Sequence, residues 1–451
     1  MVQTVRLTAT PTHLSSFPES TFAASAPQAV SHAQRSIFSA PVELAQDILS
    51  FCHPWDVATF SQTSRAAYAL VYHPADQYLW RQLFAAYPFD PPHFISDASS
   101  KKEKINWKGE VTSRMKVERV LFCGPMTISD KQHVLRTLVT VVEDSSWAVS
   151  KSGSDCNINW LKRLVRHSHL LHNIYSVPES GDDAQEYSRL RAYLALTVID
   201  DKHNMPAHMK LLDRRDYSRA YVYNLLNYTA ENNWGPFLSD GRVDWVHAEH
   251  LVNVVALNIR ELPGNWANTR PPTCMEGPRS SSWIPCRESD DWAGVEAGTW
   301  RRYVSFMDYR DLFAFNFTEL ADGPRHPKFF KDPRFREATR LIEVKLTIIP
   351  AQSLRFHKVV ENLSNSHTYK PICFSGSSKG VNGNEAAIEG SVTMGKDRTA
   401  RWQLISIYDD HPQWSSNGVQ LGGLQSAMGV IGVWTTTNHD QGMSLFYQLE
   451  T

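Results

Sequence analysis

The chain has 451 residues, a length that predicts about three structural units. Its 46 basic and 47 acidic residues nearly cancel, so the summed charge gives no reason to expect nucleic acid or a membrane surface as a partner. The cysteines are scattered without a CxxC pair and no apolar run approaches the length of a membrane-spanning helix, so we expect reduced thiols and a cytoplasmic or nuclear location.

Residues 1–37 are rich in Ser, Thr, Ala and Pro and contain one acidic residue, Glu19. Because prolines interrupt every apolar period in this stretch, we predict a disordered tail. A transit peptide is the alternative, since such peptides are also Ser-rich and poor in acidic residues. They need an Arg-rich amphipathic helix, however, and only Arg6 and Arg35 are present here.

Residues 38–88 are predicted to form a module of three or four short helices. Pro41 is suited to the start of the first helix, in which Leu44, Ile48 and Phe51 recur at the spacing of one helical face. A unit this small buries little apolar surface and is only marginally stable by itself. The pattern therefore predicts that a neighbour or a partner covers part of its apolar surface.

Short motifs follow one another in a definite order along this module. They are Pro41-x-Glu43-Leu44, Asp47-Ile48-Leu49-x-Phe51, Pro54-x-Asp56-Val57, Ser61-x-Thr63-Ser64-Arg65 and Leu79-Trp80-x-x-Leu83-Phe84. In this order they resemble an F-box; the alternative is an ordinary helical bundle. The resemblance implies docking on the adaptor of a cullin-type (SCF) ubiquitin ligase and its cullin scaffold, while the rest of the chain binds a protein substrate and other subunits transfer ubiquitin. The residues to which the resemblance assigns adaptor contact are Pro41, Glu43, Leu44, Ile48, Leu49, Phe51, Pro54, Val57 and, as a packing residue, Trp80.

Residues 89–261 are predicted to form an irregular α-helical middle domain. Apolar residues recur there at helical spacing, as in the stripe from Leu251 to Ile259, and no fixed repeat is present. A basic run at Lys101–Lys104 is followed by Trp107, a pattern that also occurs in nucleic-acid-binding segments. We favour the solvated face of a helix for this run.

Residues 262–297 form a connection rich in Pro and Trp, which we expect to pack across its neighbours. In residues 298–451 the apolar period changes to two, as in Leu341–Ile348. The predicted strands are Thr299–Phe306, Leu312–Phe317, Leu341–Ile348, Lys370–Phe374, Ser391–Met394, Arg401–Tyr408, Met428–Trp434 and Leu445–Leu449. We predict an antiparallel β-barrel in preference to a sandwich, and a long hairpin loop at Gly376–Gly390.

Two further resemblances concern larger parts of the chain. Gly298-Thr299-Trp300 is similar to the Gly-x-Trp start of lipocalin-like barrels. The segments at about 155–260, 290–345 and 400–436 resemble a group of fungal F-box proteins that share a helical middle region and a barrel-like end. The expected fold is therefore a multidomain α+β chain, with an F-box, a helical middle domain and a lipocalin-like barrel.

Residue patterns that carry catalysis or metal binding are weak in this sequence. His247-Ala248-Glu249-His250 has the wrong order for a helical HExxH zinc site, and His169 and His172 share a helix face without a third ligand. Asp409-Asp410-His411 is predicted to be a polar turn. We therefore expect a non-catalytic protein with no metal and no cofactor.

Substrate binding is predicted on the C-terminal domain, where strand glycines and tryptophans concentrate. The candidate residues are Trp402, Trp414 and Trp434, with Trp414 expected in an exposed loop and Trp434 expected in the core. Two alternatives remain open for the whole chain. One is a lipocalin-like carrier of an apolar small molecule, and the other is an F-box protein that acts in assembly without degradation.

Overall fold

The structure, a computed structural model, describes residues 37–74, 76–87, 89–90, 105–123, 127–143, 156–167, 182–194, 205–262, 291–296, 298–318, 322–356, 369–380, 383–424, 426, 428–437 and 444–450. Within these ranges the side chains are described except at residues 123, 158, 162, 165–167, 182–183, 205–211 and 444–450. The predicted tail apart from Ile37, the basic cluster Lys101–Lys104, the pair His169 and His172, and most of the Pro- and Trp-rich connection lie outside the described residues.

Helices occupy the first part of the described chain. They are α1 (Val42–Ser50), α2 (Pro54–Ser61), α3 (Arg65–Tyr72), α4 (Tyr78–Ala86), α5 (Trp107–Cys123), α6 (Ile128–Glu143), α7 (Cys156–His167), α8 (Asp182–Tyr193), α9 (Met205–Val222), α10 (Trp245–Arg260) and α11 (Tyr309–Phe317). Their starts follow local signals. Pro54 opens α2 behind a cap in which His53 Nδ1 accepts from the Trp55 N–H at 3.2 Å, and the Ser64 hydroxyl accepts from the Ala67 N–H at 3.0 Å to open α3.

The N-terminal module, residues 38–88, consists of α1 to α4 around a small apolar core. Leu49, Val57, Leu70 and Leu83 are buried in it. This core continues without a break into the middle helices. Phe84 links the two, since its ring lies 5.0 Å from that of Trp107 at the start of α5.

Helix α10 lies at the centre of the chain and packs against α8, α9 and the outer face of the sheet. Asp244 caps its first turn by accepting from the N–H groups of Val246 and His247 at 3.1 and 3.2 Å. Apolar residues are buried along its whole length, and near its end the Asn258 amide donates to the Ser305 hydroxyl at 3.3 Å. Because α10 is covered on several sides, it fixes the helical part of the chain against the sheet.

The C-terminal part is a curled antiparallel sheet in which each strand pairs with the next. The strands are β1 (Thr299–Met307), β2 (Glu337–Ile349), β3 (Ile372–Gly380), β4 (Glu385–Met394), β5 (Ala400–Tyr408), β6 (His411–Gln420), β7 (Val430–Thr436) and β8 (Ser444–Glu450). Strand β8 also pairs with β1, so the sheet closes on itself as a barrel. Helices followed by a curled antiparallel sheet confirm the predicted α+β architecture.

Three details of the predicted strands are wrong. Leu312–Phe317 belongs to α11, because Asp308 caps a helix there by accepting from the Arg310 N–H at 2.8 Å. Gly376–Gly390 is not a long loop but the body of β3 and β4. Trp414 lies within β6 and not in a loop. The turn predicted at Asp409 and Asp410 is confirmed, with both residues in the left-handed region at φ 49° and 61°.

Alternate strand residues point into the barrel, and one end of the interior is closed. Trp300, Phe374 and Trp402 fill this end, with ring centroids 5.2 Å apart for the two tryptophans and 5.7 Å apart for Phe374 and Trp402. The segment 291–296 covers it, since the Trp300 indole N–H donates to the carbonyl of Val295 at 3.0 Å. Glycine is needed at 390, because a Cβ there would lie 2.5 Å from Phe374.

Among the described residues, no helix combines the length and the apolar character needed to cross a membrane.

Candidate functional site

Helix α1 presents large apolar side chains to solvent. Leu44, Ile48 and Phe51 are 57%, 56% and 86% exposed, and they lie one above the other along one side of the helix. Pro41 and Val42 extend the same surface and are also exposed. We call this surface the α1 face and define it as Pro41, Val42, Leu44, Ile48 and Phe51.

Two aromatic side chains border the α1 face. Phe38, just before it, is partly exposed and its ring is stacked on that of Phe60 at 6.1 Å. Trp55, at the start of α2, is 37% exposed and meets the ring of His53 edge-on at 5.5 Å. Contiguous exposed apolar side chains are uncommon on a protein surface unless they bind something.

Acidic residues surround this apolar surface. Glu43 and Asp47 are exposed on α1, and Asp56 is exposed in the first turn of α2. The Asp47 carboxylate accepts a hydrogen bond from the Tyr78 hydroxyl at 3.3 Å. An apolar centre with a charged rim is the composition of many protein-binding surfaces.

The remaining residues to which the F-box resemblance assigns adaptor contact lie inside the module. Leu49, Pro54, Val57 and Trp80 are buried, and the ring of Trp80 lies 5.6 Å from that of Tyr72. Their burial places them in the core and not on the α1 face. The structure thus separates the predicted set into an exposed group, which includes Pro41, Glu43, Leu44, Ile48 and Phe51, and this buried group.

The tryptophans predicted for substrate binding also separate into two places. Trp402 is 1% exposed, in the closed end of the barrel, where its indole N–H donates to Gln420 Oε1 at 3.2 Å. Trp414 and Trp434 are both half-buried, and their rings meet edge-on with centroids 4.4 Å apart. The structure therefore brings Trp414 and Trp434 together at the other end of the barrel, with Trp414 in a strand instead of the predicted loop and Trp434 partly buried against the interior apolar cluster.

A buried arginine that is absent from the predicted site residues lies in the barrel interior. Arg302 of β1 donates from Nη2 to the Ser416 hydroxyl of β6 at 2.9 Å. Burial lowers the pKa of Arg302 to about 10, although the nearby Tyr408 raises it, so the guanidinium stays a cation at neutral pH. The sequence does contain a sign of its position, because Arg302 alternates with Trp300 and Val304 along β1 and therefore points inward as they do.

The His247-Ala248-Glu249-His250 segment lies on α10, and its side chains have separate partners. His247 Nε2 is 3.2 Å from the Tyr228 hydroxyl and His250 Nδ1 is 3.0 Å from the Ser218 hydroxyl. Glu249 forms a buried ion pair with Arg191 at 2.9 Å. Within the described part of the chain, no group of three or more His, Cys, Asp or Glu side chains is placed to hold a metal ion.

Comparison with known proteins found no matching family model, no matching curated protein and no matching solved structure. The functional assignment therefore depends on the residues themselves, on the exposed α1 face and on the interior of the barrel.

Proposed function

We propose that this protein is the substrate-recognition subunit of an SCF-type cullin ubiquitin ligase. The observation that carries the proposal is the exposure of Leu44, Ile48 and Phe51 on α1. These residues belong to the ordered motifs that resemble an F-box, and they are among the residues that the resemblance assigns to adaptor contact. In this proposal the module docks on the adaptor, the adaptor joins it to the cullin scaffold, and other subunits carry out ubiquitin transfer.

The chemistry of the α1 face supports an apolar docking partner. Burying a Leu, Ile or Phe side chain contributes about 1.5 to 3 kcal/mol, so three such residues supply a large share of the free energy of a stable contact. Exposed Glu43 adds a charge at the rim, where it sets orientation more than affinity. The buried residues Leu49, Pro54, Val57 and Trp80 act indirectly, because they hold α1 to the other helices of the module.

The C-terminal barrel is the proposed substrate domain. We infer a lipocalin-like arrangement from its single closed antiparallel sheet and from Trp300, which follows Gly298 and seals one end of the interior. In this arrangement the protein substrate binds near Trp414 and Trp434, and the chain itself carries out no catalysis and needs no cofactor. A lipocalin-like carrier is the second candidate, because Arg302 gives the barrel interior a polar anchor for a small ligand.

The test is an adaptor pull-down with purified full-length chain in which Leu44 and Ile48 are both replaced by lysine. The double variant introduces charge into an apolar contact, so adaptor binding should fall by at least about a hundredfold. Leu226→Lys is the matched control, since Leu226 is 68% exposed and lies outside the module. A folded double variant that still binds adaptor as tightly as the control would show that the proposal is wrong.

The same reagents separate degradation from assembly. A complex reconstituted with adaptor and cullin should promote ubiquitination of proteins that co-purify with the chain, and the Leu44→Lys/Ile48→Lys variant should not. Adaptor binding without any ubiquitination of those partners would favour the assembly role. Adaptor-independent ligand binding, with no adaptor binding at all, would favour the carrier.

A further inference from the structure

The inner surface of the barrel carries a polar and aromatic cluster that includes Trp414 and Trp434, the two tryptophans proposed above for substrate binding. Ser416 of β6 lies directly opposite Trp434 of β7, and Trp414 lies opposite Ser406 of β5. All four positions share the inward register with Trp402, which is buried in the interior. Trp434 also packs against the apolar cluster that fills the barrel.

Arg302 contacts this cluster from a strand that is not adjacent to β6 in the barrel. Its strand, β1, is separated from β6 by four strands in sequence, yet its Nη2 atom donates to the Ser416 hydroxyl at 2.9 Å. Ser416, whose hydroxyl accepts from the guanidinium, lies directly opposite Trp434 on the neighbouring strand. One cation, one hydroxyl and two indoles that meet edge-on therefore share the inner surface of the barrel.

The two ends of the barrel differ in the solvent exposure of their inward-pointing side chains. At the closed end the inward residues Trp300 and Trp402 are buried and are covered by Ala293 and Val295. At the end with the Trp pair, the inward residues keep partial exposure. These partly exposed residues are Phe306, Tyr408, Trp414, Trp434 and Thr436. Aromatic surface of the inward-pointing strand residues is thus reachable from solvent at this end.

A second observation at this end concerns the indole N–H of Trp434. This N–H is buried and has no hydrogen-bond partner among the residues that the structure describes. A buried donor without an acceptor costs about 1 to 3 kcal/mol, and native proteins seldom keep one. An acceptor atom of a bound molecule would remove that cost.

We propose that this end of the barrel binds a small amphipathic carboxylate. Its flat apolar body would lie against the rings of Trp414 and Trp434, and its carboxylate would accept hydrogen bonds from the Arg302 guanidinium and the Trp434 N–H. An arginine fork matches the geometry of a carboxylate, and aromatic walls bury a flat apolar body. The proposal goes beyond the proposed function, since it gives the end of the barrel with Trp414 and Trp434 a small-molecule ligand, and it is independent of the α1 face.

The test uses isothermal titration calorimetry with the full-length chain and no adaptor. The probes are 2-naphthoate and its neutral counterpart 2-naphthalenemethanol, which have the same apolar body. The carboxylate should bind at least about tenfold more tightly than the alcohol, because a hydrogen bond to a charged group is worth more than one between neutral groups. Equal binding of the two probes, or binding of neither, would overturn the proposal.

Two variants assign the preference to named groups. Arg302→Met should remove the preference for the carboxylate, while Arg301→Met, its outward-facing neighbour on β1, should preserve it. Trp434→Phe keeps an aromatic ring and removes only the N–H, so carboxylate binding should weaken by about fivefold or more while alcohol binding stays the same. If Arg302→Met fails to fold, the carboxylate and alcohol affinities of Trp434→Phe test the proposal without it.

Carboxylate affinity unchanged in folded Trp434→Phe, and in Arg302→Met where that variant folds, would contradict the proposal. This result would leave adaptor docking unaffected, since the Leu44→Lys/Ile48→Lys pull-down measures a different surface. Conversely, loss of adaptor binding in that double variant should leave naphthoate binding unchanged.

Discussion

Arg219 of α9 and Glu337 of β2 form a buried ion pair that joins the helical part of the chain to the sheet. Arg219 donates to Glu337 Oε2 from Nε at 2.9 Å and from Nη2 at 2.6 Å. The Tyr223 hydroxyl donates to the other carboxylate oxygen, and Asn258 of α10 accepts from Arg219 at 3.3 Å. A hydrogen-bonded ion pair therefore joins two parts of the chain that are far apart in sequence, and both carboxylate oxygens of Glu337 accept hydrogen bonds.

The first prediction concerns this pair. Arg219→Met should lower the free energy of unfolding by about 3 to 5 kcal/mol, because it leaves the Glu337 carboxylate buried without its cation. Urea denaturation followed by tryptophan fluorescence measures the change. The control is Lys331→Met, which removes an exposed pair with Asp213 at 2.9 Å and should cost about 1 kcal/mol or less. Similar losses in both variants would contradict the structural role of the buried pair.

The second prediction is a loss of stability in mild acid that originates in α10. Burial lowers the pKa of His247 to about 4 and that of His250 to about 4, against the opposing effects of Asp244 and Glu249 respectively. Because these folded-state pKa values lie below the unfolded value of about 6.5, the unfolded state takes up protons first as the pH falls. Stability is therefore complete above about pH 6.5 and decreases between about pH 6.5 and 4, by about 1 kcal/mol for each histidine at pH 5.5.

Urea midpoints at pH 7.5 and 5.5 measure this pH dependence. His250→Gln should reduce the difference between the two midpoints, since glutamine does not titrate. His411→Gln, at an exposed position in β6, should leave the difference unchanged. An identical difference in the wild type and in His250→Gln would show that this histidine does not cause the acid sensitivity.

The module was predictable from sequence because its signals are local. Prolines and a serine cap mark the helix starts, and the apolar stripe of α1 can be recognised from its spacing. The spacing does not show whether that stripe faces the core of the protein or a binding partner. A stripe at Leu44, Ile48 and Phe51 fits a core as well as a partner, and only the packing of Ala45 and Leu49 on the opposite side shows that it faces solvent.

The misassigned strands and loops have tertiary causes. Phe313, Phe315 and Phe317 alternate like strand residues, yet the helix buries Leu312 and Phe315 at a spacing of three. Glycines such as Gly390 usually indicate a loop, but here glycine is required because the Gln403 carbonyl oxygen and the Phe374 ring leave no room for a Cβ. Pro412 obscured β6, and the structure places it where the pairing with β5 shifts register, a position that tolerates proline.

The inner cluster of the barrel could not be predicted from any single segment. Arg302 and Ser416 are 114 residues apart, and their contact depends on the pairing of all the strands between them. Strand alternation indicates which residues share a face, but closure of the sheet decides which faces meet. For this reason Trp414 and Trp434 could be recognised from their own segment, whereas the role of Arg302 could not.

The third prediction separates the core of the module from the α1 face. Leu49→Ala should lower the free energy of unfolding by about 2 to 5 kcal/mol, because it leaves a cavity in the core. Leu44→Ala on the exposed side of the same helix should change stability by about 0.5 kcal/mol or less. Thermal unfolding and adaptor binding are measured together for the two variants. A stability loss in Leu44→Ala equal to that of Leu49→Ala would mean that Leu44 is part of the folded core.

The last prediction distinguishes the tryptophans of the barrel. Trp402→Ala should lower the free energy of unfolding by about 3 to 5 kcal/mol, since Trp402 is buried against Trp300 and Phe374. Trp414→Ala should cost less, because its side chain is half-buried and its main ring contact is Trp434.

Ligand and substrate binding should show the opposite order. If the open end of the barrel is the recognition surface, Trp414→Ala should weaken binding of 2-naphthoate, or capture of co-purifying partners, by about thirtyfold, the effect of losing an interface anchor worth about 2 kcal/mol. Calorimetry and pull-down are therefore run beside urea denaturation for both variants. A folded Trp414→Ala protein with unchanged binding in both assays would remove Trp414 from the site, because a half-buried ring that contributes to neither binding event serves only to pack against Trp434.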